Sequence, residues 1–486
     1  MKTAINIVWF KRDLRLKDHL PLKTAIEEGL PILMIFIFEH SLITAPYSDE
    51  RHWRFVVESI KDLNEQLKKY SQQVYMFYGE AIPLFEKILC YYEIKNVFSH
   101  QETGTWLTYQ RDIQVKNFFK NNGIRWKEFQ SNAVIRGLKN RDNWNERRNE
   151  YLSKPIEIPQ LDKLKPFIIE KEILESFSAD KLISSLNFNH QMQKGGETEA
   201  NRVLNSFLNE RHIGYTKNIS RPEESRKHCS RLSPYLAWGN LSIRQVEQAT
   251  IQIYKKRPSK RDLLAFQSRV AWHCHFIQKL ETEPEYEFKN INSAYDNIRT
   301  EWNDTYFNAW KDGLTGYPLI DACMRCLKET GYINFRMRAM LVSFLTHHLW
   351  LDWKEGANFL AKQFLDFEPG IHFPQFQMQA GTTGINTIRI YNPTKQALEH
   401  DSNAIFIKKW ITELSNLPSY LAIEPWKITP VEEISYNFHY GKDYPERIVN
   451  TELTYRQANK VLWDIKKSEA SKSEAEKILS KHVKSG

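Results

Sequence analysis

Residues whose types could carry chemistry are concentrated between positions 300 and 400. Arg336 and Arg338 lie two residues apart in front of a very apolar stretch. Asp366 and Glu368, followed by His372, come after the next predicted helix. An unpaired charge in a protein interior is very costly, so buried arginines need a carboxylate or an anionic ligand. We therefore predict that these acids are partners of the arginines.

A second polar segment comes earlier in the chain, where a helix is predicted to begin. It consists of Cys229, Ser230, Arg231, Leu232 and Ser233. Helix starts bind phosphate through free N–H groups and the helix dipole. Aromatic residues make up 13% of the chain, including 14 tryptophans. Together these features suggest a large aromatic cofactor with a phosphate arm, and the alternative is an ordinary polar core.

Metal and hydrolytic chemistry lack the residues that they need. Cys323 and Cys326 form a lone Cys-x-x-Cys pair, and the other three of the five cysteines are scattered. A closed zinc or iron–sulfur site needs four ligands, so we predict no metal. The histidine pairs at 273–275 and 347–348 have no third ligand at helical spacing. Gly-x-Ser-x-Gly and Walker motifs are also absent from the sequence.

These residues must be positioned by two halves of different periodicity. Short apolar runs alternate with amphipathic segments, such as 81–92 and 105–122, over residues 1–150. This pattern predicts an α/β domain with a doubly wound parallel sheet. The predicted strands are Ile5 to Phe10, Pro31 to Phe38, Val74 to Tyr78, Asn96 to Ser99 and Ile124 to Phe129. The first turn contains no glycine and is not a dinucleotide fingerprint.

The rest of the chain divides into three parts. Residues 151–199 hold several prolines and a Gly-Gly pair, and we expect an interdomain linker on the surface. Residues 200–465 are dominated by helical patterns and predict an all-α domain. Residues 466–486 are rich in Lys, Glu and Ser, which is typical of a solvated or frayed charged tail.

Composition limits the class of protein. A chain of 486 residues is long enough for two or three domains. It lacks an apolar run near the ~18 residues of a spanning helix, and its start does not resemble a signal peptide. With an odd cysteine count, this favours a soluble cytoplasmic protein. The net charge of +9 permits a polyanionic partner.

Many segments, in fixed order, resemble the photolyase/cryptochrome flavoprotein family over almost the whole chain. The likeness favours a divergent bacterial-type DNA photolyase. The matching segments are 9–16 (WFKRDLRL), 230–239 (SRLSPYLAWG), 310–325 (WKDGLTGYPLIDACMR), 330–331 (TG), 336–338 (RMR), 352–356 (DWKEG) and 389–393 (RIYNP).

The resemblance implies a helical domain that binds FAD. Tyr215 and the stretch Cys229 to Ser233 would hold the phosphates and the ribose. Arg338 would pair with Asp366 beside the flavin ring. Glu368 takes the family's second acidic position. At the position facing the reactive ring nitrogen this chain has His372, where the repair branch usually has Asn, and an ionisable group there could make photoreduction pH-dependent.

The resemblance also implies that UV-damaged DNA is the partner. Trp272 matches the ring that packs against the flipped lesion, and Arg336 and Gln396 match contacts to DNA. Two further DNA-side positions depart from the cyclobutane-dimer repair enzymes. Arg269 replaces a glutamate, and Met378 replaces a second lesion-facing tryptophan. These departures leave the lesion type open.

Electron supply and light harvesting depart from the family pattern as well. Trp302 and Trp353 match the distal and middle rings of the family's tryptophan triad, but the ring nearest the flavin aligns with Phe376. Phenylalanine is too hard to oxidise for electron hopping. Either another ring supplies the first hop, such as Trp350, Tyr391 or Trp410, or photoreduction is weak. Arg111-Asp112 resembles part of the folate-antenna helix, while Thr108 replaces its glutamate. The resemblance therefore implies a pocket for a second antenna chromophore but does not identify the pigment.

We predict a deoxyribodipyrimidine photo-lyase that splits pyrimidine dimers, of the cyclobutane type, by electron transfer from excited reduced FAD. Its catalytic residues would be Trp272, Trp302, Trp353 and His372. The alternative is a cryptochrome-type blue-light photoreceptor. Repair of the (6-4) photoproduct ranks third, because Asn334 occupies the position nearest to that of the required histidine. We expect a monomer that does not associate with membranes.

Overall fold

The computed structural model describes residues 2–188, 191–256 and 260–483. Its N-terminal half contains a five-stranded parallel sheet of order β3-β2-β1-β4-β5. The strands are β1 Thr3–Phe10, β2 Ile32–Phe38, β3 Val74–Tyr78, β4 Tyr92–His100 and β5 Arg125–Phe129. All five predicted strands are confirmed. β4 begins four residues earlier than predicted. Its first four residues alternate between buried and exposed positions, so they do not form the continuous apolar run on which the prediction relied.

Helices cover both faces of this sheet. They are Leu20–Glu27, His40–Ile43, Glu50–Leu67, Ala81–Tyr91 and Trp106–Asn121, with a 3-10 turn at Lys68–Tyr70. The Glu50–Leu67 helix begins at Asp49, whose side chain accepts the Arg51 N–H, and it buries an apolar stripe that includes Phe55 and Leu63. The order in which the strands are added to the sheet reverses between β1 and β4. In doubly wound sheets a crevice opens at this point, outside the carboxyl ends of the strands.

The segment 151–199 is more than a surface linker. It contains the end of the Trp144–Ser153 helix, the helices Lys171–Ser176 and Asp180–Ser185, and a 3-10 turn at Leu161–Lys163. Ile169 and Ile173 are buried in the core of the N-terminal domain, and Phe177 O accepts a hydrogen bond from Tyr78 N. Its apolar residues therefore complete one face of the sheet, which the proline-rich composition did not indicate.

The described residues after this segment form helices and turns around a second core. The α-helices are Glu197–Ser206, Tyr215–Asn218, Ser225–His228, Ser233–Ala237, Ile243–Lys256, Arg261–Thr282, Asp304–Asp312, Pro318–Thr330, Phe335–Ser343, Trp353–Gln363, Pro369–Ala380, Pro393–His400, Ile405–Trp410, Ser419–Ile423, Pro430–Tyr436, Thr451–Lys467 and Glu469–His482. π-helical turns occur at Phe207–Arg211 and Phe344–His348, and 3-10 turns at Pro284–Glu287, Ser293–Tyr295, Thr412–Leu414 and Pro425–Lys427. No described helix combines the length and the apolar composition that crossing a membrane requires.

The charged tail is docked rather than solvated. Its Glu469–His482 helix buries Ile478 and His482, and Ser471 O accepts a hydrogen bond from the Asn292 side chain at 3.0 Å. Composition could not show this, because only a few positions of the helix face the protein. The last three residues of the predicted tail lie outside the described residues.

The two halves contact each other at the end of β1. Arg15 donates to Gly239 O at 3.0 Å, and Asn240 donates to Leu14 O at 2.9 Å. Gly239 has φ +72°, and a Cβ there would lie 2.2 Å from Arg12 O and 2.5 Å from Asp13 Cα. The close approach of two backbones therefore requires glycine at position 239.

We expect Gly239→Ala to destabilise the protein by about 3 kcal/mol or more, because it adds a clash between two backbones to the cost of a left-handed alanine. Gly29→Ala is the matched control: its φ is +71°, but nothing lies within 4 Å of an added Cβ. The control should lose only about 1 kcal/mol. Denaturant unfolding of both variants measures the difference, and equal losses would show that the contact at Gly239 can relax.

Candidate cofactor and DNA site

The turn predicted to bind phosphate has an unusual backbone. Cys229 is extended, and Arg231 has φ +60°, a left-handed conformation that is uncommon for residues other than glycine. The Gln193 side chain accepts two hydrogen bonds from the Arg231 guanidinium, at 3.0 and 2.8 Å. The same guanidinium lies 3.7 Å from the ring centroid of Tyr332. These contacts hold the turn in its strained form.

Four arginines surround this turn, and none forms an ion pair with an acid in the described part of the chain. Arg211 donates to the carbonyl oxygens of Cys229 at 2.6 Å and Ser230 at 3.1 Å. Arg226 donates to Tyr332 O at 3.1 Å. Arg231 and Arg269 are the other two. Burial raises the pKa of Cys229 to about 11, so that thiol stays neutral. The turn therefore carries positive charge that only an external anion can neutralise.

The predicted pair between Arg338 and Asp366 is present. Arg338 donates to both carboxylate oxygens, at 3.0 and 2.8 Å, and its guanidinium lies 4.0 Å from the Phe364 ring centroid. Burial opposes ionisation of Asp366, but the Arg338 charge outweighs it and holds the pKa of the carboxyl below its usual value. Arg336 and Arg338 were predicted to precede an apolar helix, but both lie inside the Phe335–Ser343 helix. This helix begins before them because Asn334 caps it by accepting the Met337 N–H.

Glu368 does not join this pair. Its carboxylate lies 3.4 Å from the Arg12 guanidinium of the N-terminal domain and accepts the Gly370 N–H at 3.3 Å, which caps the Pro369–Ala380 helix. Burial raises the pKa of Glu368 to about 7 despite the charge of Arg12. Glu368 therefore links the two domains.

His372 lies in an apolar environment. Its Nε2 donates to Ala357 O at 2.9 Å, and the rings of Phe367 and Phe376 pack against it at centroid distances of 5.3 and 5.5 Å. Burial lowers the pKa of His372 to about 4. The possibility that this histidine makes photoreduction pH-dependent is therefore not supported near neutral pH, because the ring stays uncharged there.

The predicted DNA-side residues form two groups. Trp272 is 46% exposed, and the exposed Arg269, one turn earlier on the same helix, lies 5.9 Å from its ring centroid. Arg269 also contacts Tyr215, which is buried beside the turn. Arg336 forms the second group with Gln396, donating to its side-chain oxygen at 3.2 Å. Gln396 is 7% exposed, so its contact to DNA would pass through Arg336.

Met378, the remaining predicted DNA-side residue, is half-buried, and the predicted electron-transfer residues differ in exposure. Trp353 is buried, and its Nε1 donates to Asn290 at 2.7 Å. Trp302 is 41% exposed and donates to Asp304 at 3.0 Å. Phe376 packs 6.3 Å from Trp353, between that ring and His372. The aromatic path from Trp353 towards His372 thus runs through phenylalanine.

Sequence reasoning missed most of a cleft between the two halves. It encloses about 620 Å³, including its open mouth, and from the sequence only Thr108 and Arg111 were linked to a pigment pocket. Its other charged and aromatic lining residues include Lys11, Arg12, Glu39, Tyr47, His52, Trp53, Glu102, Trp238 and Phe367. Polar residues directly after β1, β2 and β4 could have revealed this cleft from the sequence, because the carboxyl ends of parallel strands meet at one edge of the sheet.

Asp13, His19 and His100 form a buried group of metal-ligand types that sequence reasoning also missed. Their ligand atoms lie within 4.8 Å of one another. His19 Nδ1 accepts the Leu22 N–H at 3.1 Å, so its proton is on Nε2, which lies 3.1 Å from Asp13 Oδ2. His100 Nδ1 lies 2.7 Å from the same oxygen. A metal on His19 Nε2 would cost the capping bond, so the group is a polar triad that fixes the ends of β1 and β4.

Comparison with known proteins identifies two matched regions. Residues 6–139 match the family model described as DNA photolyase, and residues 266–464 match the FAD binding domain of DNA photolyase. The regions coincide with the sheet and with most of the helical half.

Individual relatives match over nearly the whole chain. The deoxyribodipyrimidine photo-lyase of Alkalihalophilus pseudofirmus is 26% identical, with 92% of this chain and 95% of that protein covered. The cryptochrome DASH of Gloeobacter violaceus is 27% identical, with 93% and 94% covered. Among solved structures, the archaeal photolyase of Sulfolobus tokodaii with two FAD molecules matches with a TM-score of 0.78 at 26% identity, covering 95% and 99%.

The residues around the strained turn fit an FAD diphosphate. Arg211, Arg226, Arg231 and Arg269 offer positive charge without acid partners, and guanidinium groups match phosphate oxygens in charge and geometry. Ser230 and Ser233 add hydroxyl groups on the same turn. The donor set is therefore the one that a dianionic cofactor arm requires.

Glu368 should give the protein a pH-dependent stability. Its folded pKa of about 7 lies above the ordinary value, so its contribution is fully present below about pH 4.5 and is lost as the pH rises through 7. We expect Glu368→Gln to remove a decline of about 1–3 kcal/mol in unfolding free energy between pH 5 and 8. Urea unfolding at both pH values measures this. The unfolding free energy of the exposed control Glu476→Gln should change with pH as that of the wild type does. If Glu368→Gln shows the same change as the wild type, the raised pKa of Glu368 is refuted.

Proposed function

Because this chain belongs to the photolyase/cryptochrome family, we propose that it is a deoxyribodipyrimidine photo-lyase that splits cyclobutane pyrimidine dimers in UV-damaged DNA. The observation that carries the proposal is the exposed Trp272 with Arg269 beside it, because Arg269 also contacts Tyr215, which is buried beside the turn. In the proposal, the ring of Trp272 stacks on a base and the cation of Arg269 binds a phosphate.

The cofactor is FAD, which when bound and reduced supplies the light-excited electron for dimer splitting. In the proposal, Arg231 and the hydroxyls of Ser230 and Ser233 hold its diphosphate, with Tyr215 lining the pocket beside them. The Arg338–Asp366 pair keeps one guanidinium fixed by a buried carboxylate. Since that carboxylate stays ionised at neutral pH, it holds Arg338 in one orientation.

In the proposal, His372 and Phe376 form an apolar surface of the site, and His372 does not act as a proton donor. A neutral imidazole whose Nε2–H is committed to Ala357 O has no proton to exchange at that nitrogen. The surrounding phenylalanines exclude water, which in general strengthens electrostatic interactions inside a site. The structural role that we propose for His372 is therefore to fill space and shield the reacting region.

Lesion binding in this proposal combines stacking with charge. A flipped base stacks on an exposed aromatic ring with an energy of about 1–3 kcal/mol. Arg269 and Arg336 neutralise phosphates, and the net charge of +9 favours long-range attraction of DNA. Binding should therefore weaken steeply as salt rises, because neutralised phosphates release counterions.

A cryptochrome-type photoreceptor is the second candidate function. The specific observation in its favour is the departure of the DNA-side residues Arg269 and Met378 from the repair enzymes, together with the relative named cryptochrome DASH. A receptor needs a light-dependent redox change but no lesion contact. The two functions thus differ in whether Trp272 matters.

A second chromophore is also part of the proposal. The cleft lined by Trp53, Trp238 and Phe367 has room at the switch point of the sheet. The solved archaeal photolyase with a second FAD supports a light-harvesting pigment in this family member too.

The proposed repair is tested with the FAD-loaded, chemically reduced protein under blue light. Oligonucleotides carrying one cyclobutane dimer or one (6-4) photoproduct are the substrates, and chromatography scores restored pyrimidines. We expect loss of the cyclobutane dimer only. Repair of the (6-4) photoproduct alone would show that this lesion, and not the cyclobutane dimer, is the substrate. Repair of neither lesion with FAD bound would favour the photoreceptor.

Trp272→Ala should weaken binding of the cyclobutane-dimer oligonucleotide by about 5- to 150-fold, the loss of one stacked base. Trp463→Ala is the matched control, since Trp463 is also exposed, at 39%, and has Lys466 5.4 Å from its ring centroid. Fluorescence anisotropy with damaged and undamaged oligonucleotides measures both. Equal affinities of Trp272→Ala and wild type would remove Trp272 from the lesion site.

Phe376→Trp should speed the light-driven bleaching of bound flavin in the presence of an external reductant, because an oxidisable ring then contacts Trp353. Phe373→Trp, on the same helix and in contact with His372, is the control, and we expect no acceleration. Time-resolved absorption follows the bleaching. If both variants match the wild type, electrons reach the flavin by a route that avoids Phe376.

A further inference from the structure

A cluster of buried cations lies outside the cofactor and DNA site, where the C-terminal helix packs on the Arg261–Thr282 helix. Arg141 is 4% exposed, Lys279 is 7% exposed and His482 is 2% exposed. Arg141 precedes the Trp144–Ser153 helix, Lys279 belongs to the long helix, and His482 ends the C-terminal helix. Three separate parts of the chain therefore bring basic side chains to one place.

Several buried nitrogen atoms of this cluster have no hydrogen-bond partner in the described part of the chain. Arg141 donates from Nη2 to His275 O at 3.2 Å, and its guanidinium lies 4.9 Å from the Trp144 ring centroid. Its Nε and Nη1 atoms and the Nδ1 atom of His482 are buried without a hydrogen-bond partner among the described residues. Buried guanidinium N–H groups are normally paired, so an acceptor for Arg141 is indicated.

The acid beside the cluster is already engaged. Glu283 accepts from Lys481 at 2.8 Å and is paired with His482 Nε2. With Glu283 bonded to Lys481, the two buried cations Arg141 and Lys279 have no acid of their own among the described residues, and the neighbouring His482 is neutral. Burial lowers the pKa of Lys279 to about 8 and that of Arg141 to about 10, as expected where partners are too few.

We propose that Arg141, Lys279 and His482 bind a small tetrahedral oxyanion, inorganic phosphate or sulfate. A dianion would neutralise the charges of Arg141 and Lys279 and accept from the unpartnered nitrogens of Arg141, while the hydroxyl of a hydrogenphosphate ion would donate to His482 Nδ1. The burial of all three side chains favours a free anion over a phosphate that is still part of a nucleotide or of DNA. The anion joins the C-terminal helix to the segment before the Trp144–Ser153 helix.

The experiment titrates the FAD-loaded protein with inorganic phosphate by calorimetry, in buffers of constant ionic strength made up with NaCl. Loading with FAD keeps the cofactor turn from competing for phosphate. We expect saturable binding and a higher unfolding temperature in phosphate than in matched NaCl. Sulfate should compete with phosphate, whereas AMP should not. Absence of a phosphate response in the wild type overturns the proposal, and competition by AMP overturns the assignment to a free anion.

Two variants locate the site. Arg141→Gln and Lys279→Met should bind phosphate at least about tenfold more weakly, because each removes a charged hydrogen-bond partner. Lys477→Gln, on the exposed side of the same C-terminal helix, should bind like the wild type. FAD content and circular dichroism check that each variant is folded. If Lys279→Met is folded and keeps the full phosphate response, the cluster is not the binding site.

Discussion

The arrangement around the helical half depends on one constraint, the positive charge at the Cys229–Ser233 turn. Guanidinium groups hold that turn through carbonyl oxygens and through Gln193, yet no acid in the described part of the chain pairs with them. Clustered positive charge without acid partners is unfavourable, so the turn is suited to an anion from outside the chain. In the proposed function this anion is the diphosphate of FAD, and the strained φ of Arg231 is the local cost of presenting the turn.

The N-terminal domain reaches this site through Arg12. Its guanidinium lies 4.7 Å from the Trp238 ring centroid and donates to Phe367 O at 3.2 Å. Phe367 lines the cleft between the domains, while its neighbour Asp366 holds Arg338. Adjacent residues of one segment therefore contact the cleft, through Phe367, and the Arg338 pair, through Asp366.

Sequence periodicity predicted the sheet because continuous apolar runs such as Ile32–Phe38 are buried on both faces. The cost of buried charge predicted acid partners for the arginines, and the family resemblance implied the specific pair Arg338–Asp366. The partner of Glu368, the phenylalanines around His372 and the docked C-terminal helix could not be predicted, because each depends on contacts distant in sequence. The same holds for the convergence of Arg141 and His482, since neither residue belongs to a recognisable motif.

The most direct measurement is the affinity of the flavin-depleted protein for riboflavin, FMN and FAD, followed by flavin fluorescence at two salt concentrations. If the arginines hold the diphosphate, FAD binds tightest, and riboflavin binds at least about a hundredfold more weakly, because it lacks every charged hydrogen bond. Arg231→Gln should narrow that difference. Riboflavin binding as tightly as FAD, with Arg231→Gln having no effect, would contradict the role of the arginine cluster.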